Sequence, residues 1–215
     1  SVDIYGDTVV IGAFKEDHNG NTDNGSAYIF VRNDTSWSQQ AQLSATDIAN
    51  SGYFGYSVGI YGDTVVISAI FDNHSGGSMA GSAYIYVRND TSWSQQAKLL
   101  ASDAASNDNF GYGVDIYGDY AIIGSHYDDD NGSASGSAYI FYRDGTSWSQ
   151  QAKLTASDGA ASDHFGYDVS IYENYAVVGA YRDDSYKGSA YLYSRTGTTW
   201  TQQKKIVGSD SVSND

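Results

Sequence analysis

Residues 54–99 read FGYSVGIYGDTVVISAIFDNHSGGSMAGSAYIYVRNDTSWSQQAKL. Four runs in this stretch have β character: FGYSVGIY, DTVVISAI, SAYIYVR and SWSQQAKL. They are rich in Val, Ile, Tyr and Trp and are broken by Gly-Asp, by a Gly/Asn/Ser/Asp loop and by Arg-Asn-Asp. The Gly62-Asp63 step is short enough for a tight hairpin in which Gly supplies a positive φ. Helical periodicity longer than two turns is absent.

The same unit recurs along the chain. Trp37, Trp93, Trp148 and Trp200 follow one another at spacings of 56, 55 and 52 residues, within NDTSWSQQAQL, NDTSWSQQAKL, DGTSWSQQAKL and TGTTWTQQKKI. GSAYIF, GSAYIY, GSAYIF and GSAYLY begin at Gly25, Gly81, Gly136 and Gly188, and Phe54-Gly55, Phe110-Gly111 and Phe165-Gly166 keep step with them. A four-stranded antiparallel unit repeated about every 55 residues implies the blades of a β-propeller. Blades pack on both faces, which accounts for the nearly unbroken apolar runs TVVIS and AIIGS. The expected fold is therefore all-β, one propeller region over 1–215, with repeats at 1–53, 54–109, 110–164 and 165–215. Ser1-Val2-Asp3-Ile4 aligns with Ser57-Val58-Gly59-Ile60, and SDSVSND matches SDAASND just ahead of a Phe-Gly. The repeats are thus cut in mid-pattern, and the four are expected to be part of a ring of about seven blades or to close alone.

Composition narrows the function. A net charge of −15 excludes nucleic-acid binding through phosphate neutralisation and disfavours anionic membranes. No apolar run reaches the roughly 18 residues that span a bilayer, so membrane insertion is not expected. The chain has no Cys, which excludes thiolate metal sites. It also has no Pro, for which there is no physical account. Its 20 tyrosines supply broad surfaces that pack on one side and hydrogen-bond on the other.

FGYSV followed by VVISA, VVGA or IIGS and then GSAYIF resembles the FG-GAP repeats of the integrin α-subunit propeller head. The resemblance covers essentially the whole chain. It implies a propeller, commonly of seven blades, that is extracellular and used in adhesion or ligand binding. Calcium in those relatives is held by an Asp-rich loop between the Phe-Gly strand and the Gly-Ala strand. Here that connection is only Tyr-Gly-Asp, as at Tyr61-Gly62-Asp63 and Tyr117-Gly118-Asp119. Calcium needs six to eight oxygen ligands, so the family's calcium site does not carry over.

The other acidic loop follows the Gly-Ala position and is shortest in the fourth repeat. Its aligned positions are Glu16/Asp17, Asp72/Asn73, Asp128/Asp129 and Asp183/Asp184. One reading is a hard-cation site, with calcium as the cofactor: Asp128, Asp129, Asp130 and Asn131 first, then Asp72, Asp183 and Asp184. The other is a solvated turn whose Asp and Asn side chains cap their own backbone. Consecutive carboxylates rarely share a centre, whereas alternating ones do. A second set, Asp47, Asp103, Asp158 and Asp210, reads as turn formation, and Asp108, Asp163 and Asp215 as tethers between blades.

The four histidines have no zinc-pair spacing, and neither a nucleophile elbow nor a phosphate loop is present. Features repeated fourfold do not make the single asymmetric constellation that catalysis needs, so no enzyme is expected. The repeated Trp is read as packing between blades or capping an outer strand, the rival being a sugar-stacking platform. Tyr53, Tyr56, Tyr112 and Tyr167 could line a channel or groove. Asn-x-Ser/Thr sequons at Asn24, Asn33, Asn73, Asn89 and Asn131 allow glycosylation in a secretory host. The expected partner is a protein or glycan on the loop face, or other copies in a surface assembly. A lectin and a filament or sheath subunit are the alternatives to an adhesion module.

Overall fold

Alternation of β-branched and aromatic residues with tight turns builds sixteen strands, seen in a computed structural model that describes residues 1–18 and 20–209. The first sheet holds β1 (Val2–Tyr5), β2 (Thr8–Ala13), β3 (Ser26–Asn33) and β4 (Ser36–Leu43). The second holds β5 (Phe54–Tyr61), β6 (Thr64–Ala69), β7 (Ser82–Asn89) and β8 (Ser92–Leu99). The third holds β9 (Val114–Tyr117), β10 (Tyr120–Ser125), β11 (Ser137–Asp144) and β12 (Ser147–Leu154). The fourth holds β13 (Phe165–Tyr172), β14 (Tyr175–Ala180), β15 (Ser189–Thr196) and β16 (Thr199–Ile206). Each sheet is an antiparallel meander in chain order, as a propeller blade requires. One bulge recurs where the third strand meets the fourth, at Ile29/Phe30, Ile85/Tyr86, Ile140/Phe141 and Leu192/Tyr193. A four-residue helical turn, Asp183–Tyr186, occupies the shortened loop of the fourth blade, and the sequence did not announce it.

The cores lie between blades rather than within them. Val10, Ala27, Ile29 and Leu43 of blade one meet Phe54, Val58, Ile60, Val65, Ile67 and Tyr84 of blade two. Two further clusters repeat this pattern between blades two and three and between blades three and four. Val66 faces the following blade while Val65 and Ile67 face the preceding one, so β6 is buried along its whole length. That double burial is the physical origin of the unbroken apolar run.

Each Phe-Gly step locks onto the blade before it. Phe110 N–H donates to Ala80 O at 2.9 Å, and Gly81 pairs with Phe110 in a parallel bridge. Gly81 adopts φ +84°, and a Cβ there would stand 2.2 Å from Phe110 O, so only Gly fits. The repeated Trp also spans the joint. The indole N–H of Trp93 donates to Gln40 Oε1 at 2.9 Å, that of Trp148 to Gln96 at 2.9 Å, and that of Trp200 to Gln151 at 3.0 Å. These tryptophans pack against the inter-blade cores.

The row of blades is open at both ends. On β1, Val2 is 71% and Ile4 60% exposed, and on β14 Val177 is 38% exposed. Their counterparts at the joints, Val58, Ile60 and Val66, are buried. Closure by four blades alone is therefore not what the chain does.

Candidate functional site

The two tight hairpin turns of each blade lie at one end, with Gly-Asp at the first of them in blades one to three and Glu173-Asn174 in blade four. The variable loops and the blade-to-blade connections gather at the other end, where the acidic residues are concentrated.

In the variable loop of blade three, Asp128 N–H donates to Ser125 O at 3.2 Å and Asp128 O accepts from Gly136 N–H at 2.9 Å. This closed backbone turns the Asp128 carboxylate inward, where it is buried. Asp129 turns the other way and accepts the Ala134 N–H at 2.7 Å. Asp130 comes back toward Asp128, as alternation allows. The equivalent outward residues, Asp17 and Asn73, accept Asp23 N–H at 2.8 Å and Met79 N–H at 2.7 Å. Capping of the loop backbone is thus one role of this acidic segment. Asn131 contributes its backbone N–H to Ser135 Oγ at 3.2 Å.

Asp128 and Asp130 meet a carboxylate from the preceding blade, Asp103, all within 4.8 Å of one another. The Lys153 ammonium stands among them, 2.7 Å from Asp103 Oδ2 and 2.9 Å from Asp128 Oδ2, and it also pairs with Asp130. The Tyr139 hydroxyl completes the group at 3.0 Å from Asp103 and 2.7 Å from Asp128. Blade two repeats it with Lys98, which is 2.7 Å from Asp47 and 2.8 Å from Asp72. Blade four repeats it with Lys205, which is 2.8 Å from Asp158, 2.5 Å from Asp183 and 3.2 Å from Asp184. In blade one Gln42 stands in the lysine position, beside Glu16 and Tyr28.

The cation at these centres is therefore a lysine of the chain itself. Burial alone would raise the Asp103 carboxyl, but Lys153 and Tyr139 outweigh it and hold the carboxyl below its ordinary range. Burial would lower the Lys153 ammonium, and the three carboxylates reverse that and raise it. Calcium at Asp128 would have to expel Lys153 and would still lack the oxygen count it needs. The residues do not fit a calcium ion. The Gly-Asp turns do not fit one either, because Asp63 and Asp119 pair with Arg88 and Arg143.

Two turn assignments change in consequence. Asp47, Asp103 and Asp158 are the residues that tie one blade to the next. Asp108 and Asp163, read as tethers, instead close their own turns by accepting Ala105 N–H and Ala160 N–H at 2.7 Å. Asp210 and Asp215 lie outside the described residues. Burial, helped by the charges of Asp128 and Asp129, raises the Asp108 carboxyl to about 6 against the Ala105 hydrogen bond and the Lys153 charge.

An aromatic row runs across the inner strands at this end. Phe14, Tyr56, Tyr112, Tyr167 and Tyr181 stack in succession with ring centroids 4.3–5.4 Å apart. Tyr53 joins it between Phe14 and Phe71. His126 and His164 lie beneath the row, buried, their centroids 5.4 Å apart. Burial, then His164 and Arg182, push His126 down to about 3, so it stays neutral. Beside the row a groove of about 400 Å³ opens between blades two and three, lined by Phe71, Met79, Asn107, Asn109, Tyr127 and Asp129 among others. Met79 and Tyr127 are about two-fifths exposed there, and Asn109 Oδ1 is buried with no hydrogen-bond partner. Local sequence reading missed this groove because its walls come from two different repeats.

The sequons divide. Asn33, Asn73, Asn89 and Asn131 are exposed, whereas Asn24 is 3% exposed and its Oδ1 accepts the His18 N–H at 2.9 Å. The Asn24 sequon is closed in the folded chain.

Among solved structures, the crystal structure of the N-terminal domain of Nup159 is similar over 94% of this chain at 13% identity, with a TM-score of 0.46. The chain spans 46% of the length of that structure. No curated protein matches the chain. The FG-GAP repeat family matches over residues 1–30, 37–86, 93–141 and 148–193, each later match running from the outer strand of one sheet through the first three strands of the next. Matched in four segments that together cover most of its length, the chain belongs to the FG-GAP repeat family.

Proposed function

We propose that the protein is an extracellular, non-catalytic binding module of the adhesion type that holds its ligand on the long-loop end. The observation that carries this reading is the groove between blades two and three. It joins the exposed Met79 and Tyr127 and the partly buried Phe71 to the exposed polar residues Ser106, Asn107 and Asp129. Recognition sites combine apolar walls with a few placed polar groups in this way. A sugar ring suits the groove, since an aromatic face covers its apolar side while amide and carboxylate oxygens accept from its hydroxyls. The four accessible sequons support an extracellular location. Calcium has no part in this reading.

A glycan array probed with the intact chain tests it. Binding to a defined glycan class is expected, with at least a tenfold loss for Tyr127→Ala and for Asn107→Ala and none for Tyr175→Ala at the opposite end. A blank array, or binding indifferent to both groove variants, would contradict the sugar-binding assignment.

A further inference from the structure

Two rows of tyrosine cross the inner strands from blade to blade, one at each end. Tyr5, Tyr61, Tyr117 and Tyr172 are the last residues of β1, β5, β9 and β13, and they stack with centroids 4.6–4.9 Å apart. At the long-loop end Tyr56, Tyr112 and Tyr167 stack in the same way at 5.1 and 4.7 Å. The rings in both rows are tilted by 43–57° to their neighbours. Their hydroxyls also meet: side-chain hydrogen bonds join Tyr112 to Tyr56 and to Tyr167, and Tyr117 to Tyr61. Hydroxyls in contact bring together the ring carbons beside them, the ortho carbons. Tyr61, Tyr112 and Tyr117 have a blade on both sides and still keep part of their surface in solvent. The other repeated tyrosines behave differently. Tyr84, Tyr139 and Tyr191 are wholly buried, stand against a phenylalanine and give their hydroxyls to carboxylates. Packing alone needs no hydroxyl in the rows, as Phe14 beside Tyr56 shows.

We propose that the two rows are sites of oxidative phenol coupling, at which a one-electron oxidant of the peroxidase class joins tyrosines of neighbouring blades. Each of two stacked tyrosines gives up one electron and its hydroxyl proton. The two phenoxyl radicals form one carbon–carbon bond between ring positions ortho to oxygen. The hydrogen on each joined carbon then passes as a proton to the oxygen of its ring, which restores both aromatic rings and both hydroxyls. One hydrogen peroxide takes up the two electrons and two protons and leaves as two waters. Coupling requires two phenols already in contact, and the stacking supplies that contact across the joints. Tyr61 couples to Tyr117, and Tyr112 to Tyr56 or Tyr167, so each bond ties one blade to the next. Such a bond closes a loop of one whole repeat and restricts the unfolded chain as a disulfide does. The chain has no Cys, so no disulfide takes that part.

Photo-oxidation of the dilute intact chain by ruthenium tris-bipyridyl with persulfate tests the proposal, read by dityrosine fluorescence and by mass mapping of the digested chain. Cross-linked peptides joining Tyr61 to Tyr117, and Tyr112 to Tyr56 or Tyr167, are expected. Each is lighter than its two parts by two hydrogen atoms, in chains that remain single on a denaturing gel. Tyr117→Phe and Tyr112→Phe keep the ring and remove the phenol, and circular dichroism checks that each variant is folded. Each is expected to lose the cross-links of its own residue and to keep those of the other row. With Tyr61, Tyr112, Tyr117 and Tyr167 all replaced by Phe, the fluorescence is expected to fall at least fivefold. Coupled wild type is expected to unfold at a higher denaturant concentration than uncoupled. Four results would overturn the proposal: cross-links that map outside the rows, undiminished fluorescence from the fourfold variant, as much coupling in the urea-unfolded chain, or an unfolding midpoint that coupling leaves unchanged.

Discussion

At the scale of single residues, repetition conceals opposite behaviour in neighbouring carboxylates. Asp103 and Asp108 lie in one connection, yet Asp103 is held below its ordinary range by a lysine while Asp108 is raised to about 6 by burial and by Asp128 and Asp129. A carboxyl raised on folding binds its proton more tightly in the native state, so its ionisation opposes folding. The opposition is absent below its ordinary value and complete above about pH 6. Asp108→Asn keeps an acceptor for Ala105 N–H and removes the charge. It is expected to stabilise the protein by on the order of 1–2 kcal/mol at pH 7.5 and to leave it unchanged near pH 4. Denaturant unfolding at the two pH values checks this. An equal gain at both would mean that ionisation is not the cause.

At the scale of the element, what could be read in the sequence was what lies within one repeat. Strands, hairpin turns and the glycine ahead of SAY follow from local chemistry, and four copies made the blade unambiguous. The joints were less legible. Asp103 meets Lys153 fifty residues later, and nothing near Asp103 signals more than an Asx turn. The alternation of Asp128, Asp129 and Asp130 did say which carboxylates could share a centre. It could not say that a lysine would occupy that centre, because Lys153 lies on another strand, β12. Lys153→Met leaves the buried Asp128 without its cation and breaks the bond to the preceding blade. Its expected cost is roughly 2–4 kcal/mol, toward the range for breaking a buried pair, with Lys153→Arg losing less. Chemical denaturation of both variants decides the point, and a neutral Lys153→Met would show that the joint rests on apolar packing alone.

At the scale of the whole molecule, the chain is a row of four blades with its apolar cores at the joints and lysine-centred clamps at three of them. The clamps set a lysine among the carboxylates that a chain of charge −15 gathers at one end. Among the described residues no helix is long and apolar enough to cross a membrane. The acidic loop after the Gly-Ala position suggested calcium when read from its residues alone. The geometry replaces it with Lys98, Lys153 and Lys205, each contributed by the outer strand of its own blade. Thermal unfolding of the intact chain in EDTA and in excess calcium, at one ionic strength, tests that claim most directly. The two melting temperatures are expected to coincide, and a fall in EDTA that calcium restores would contradict the account.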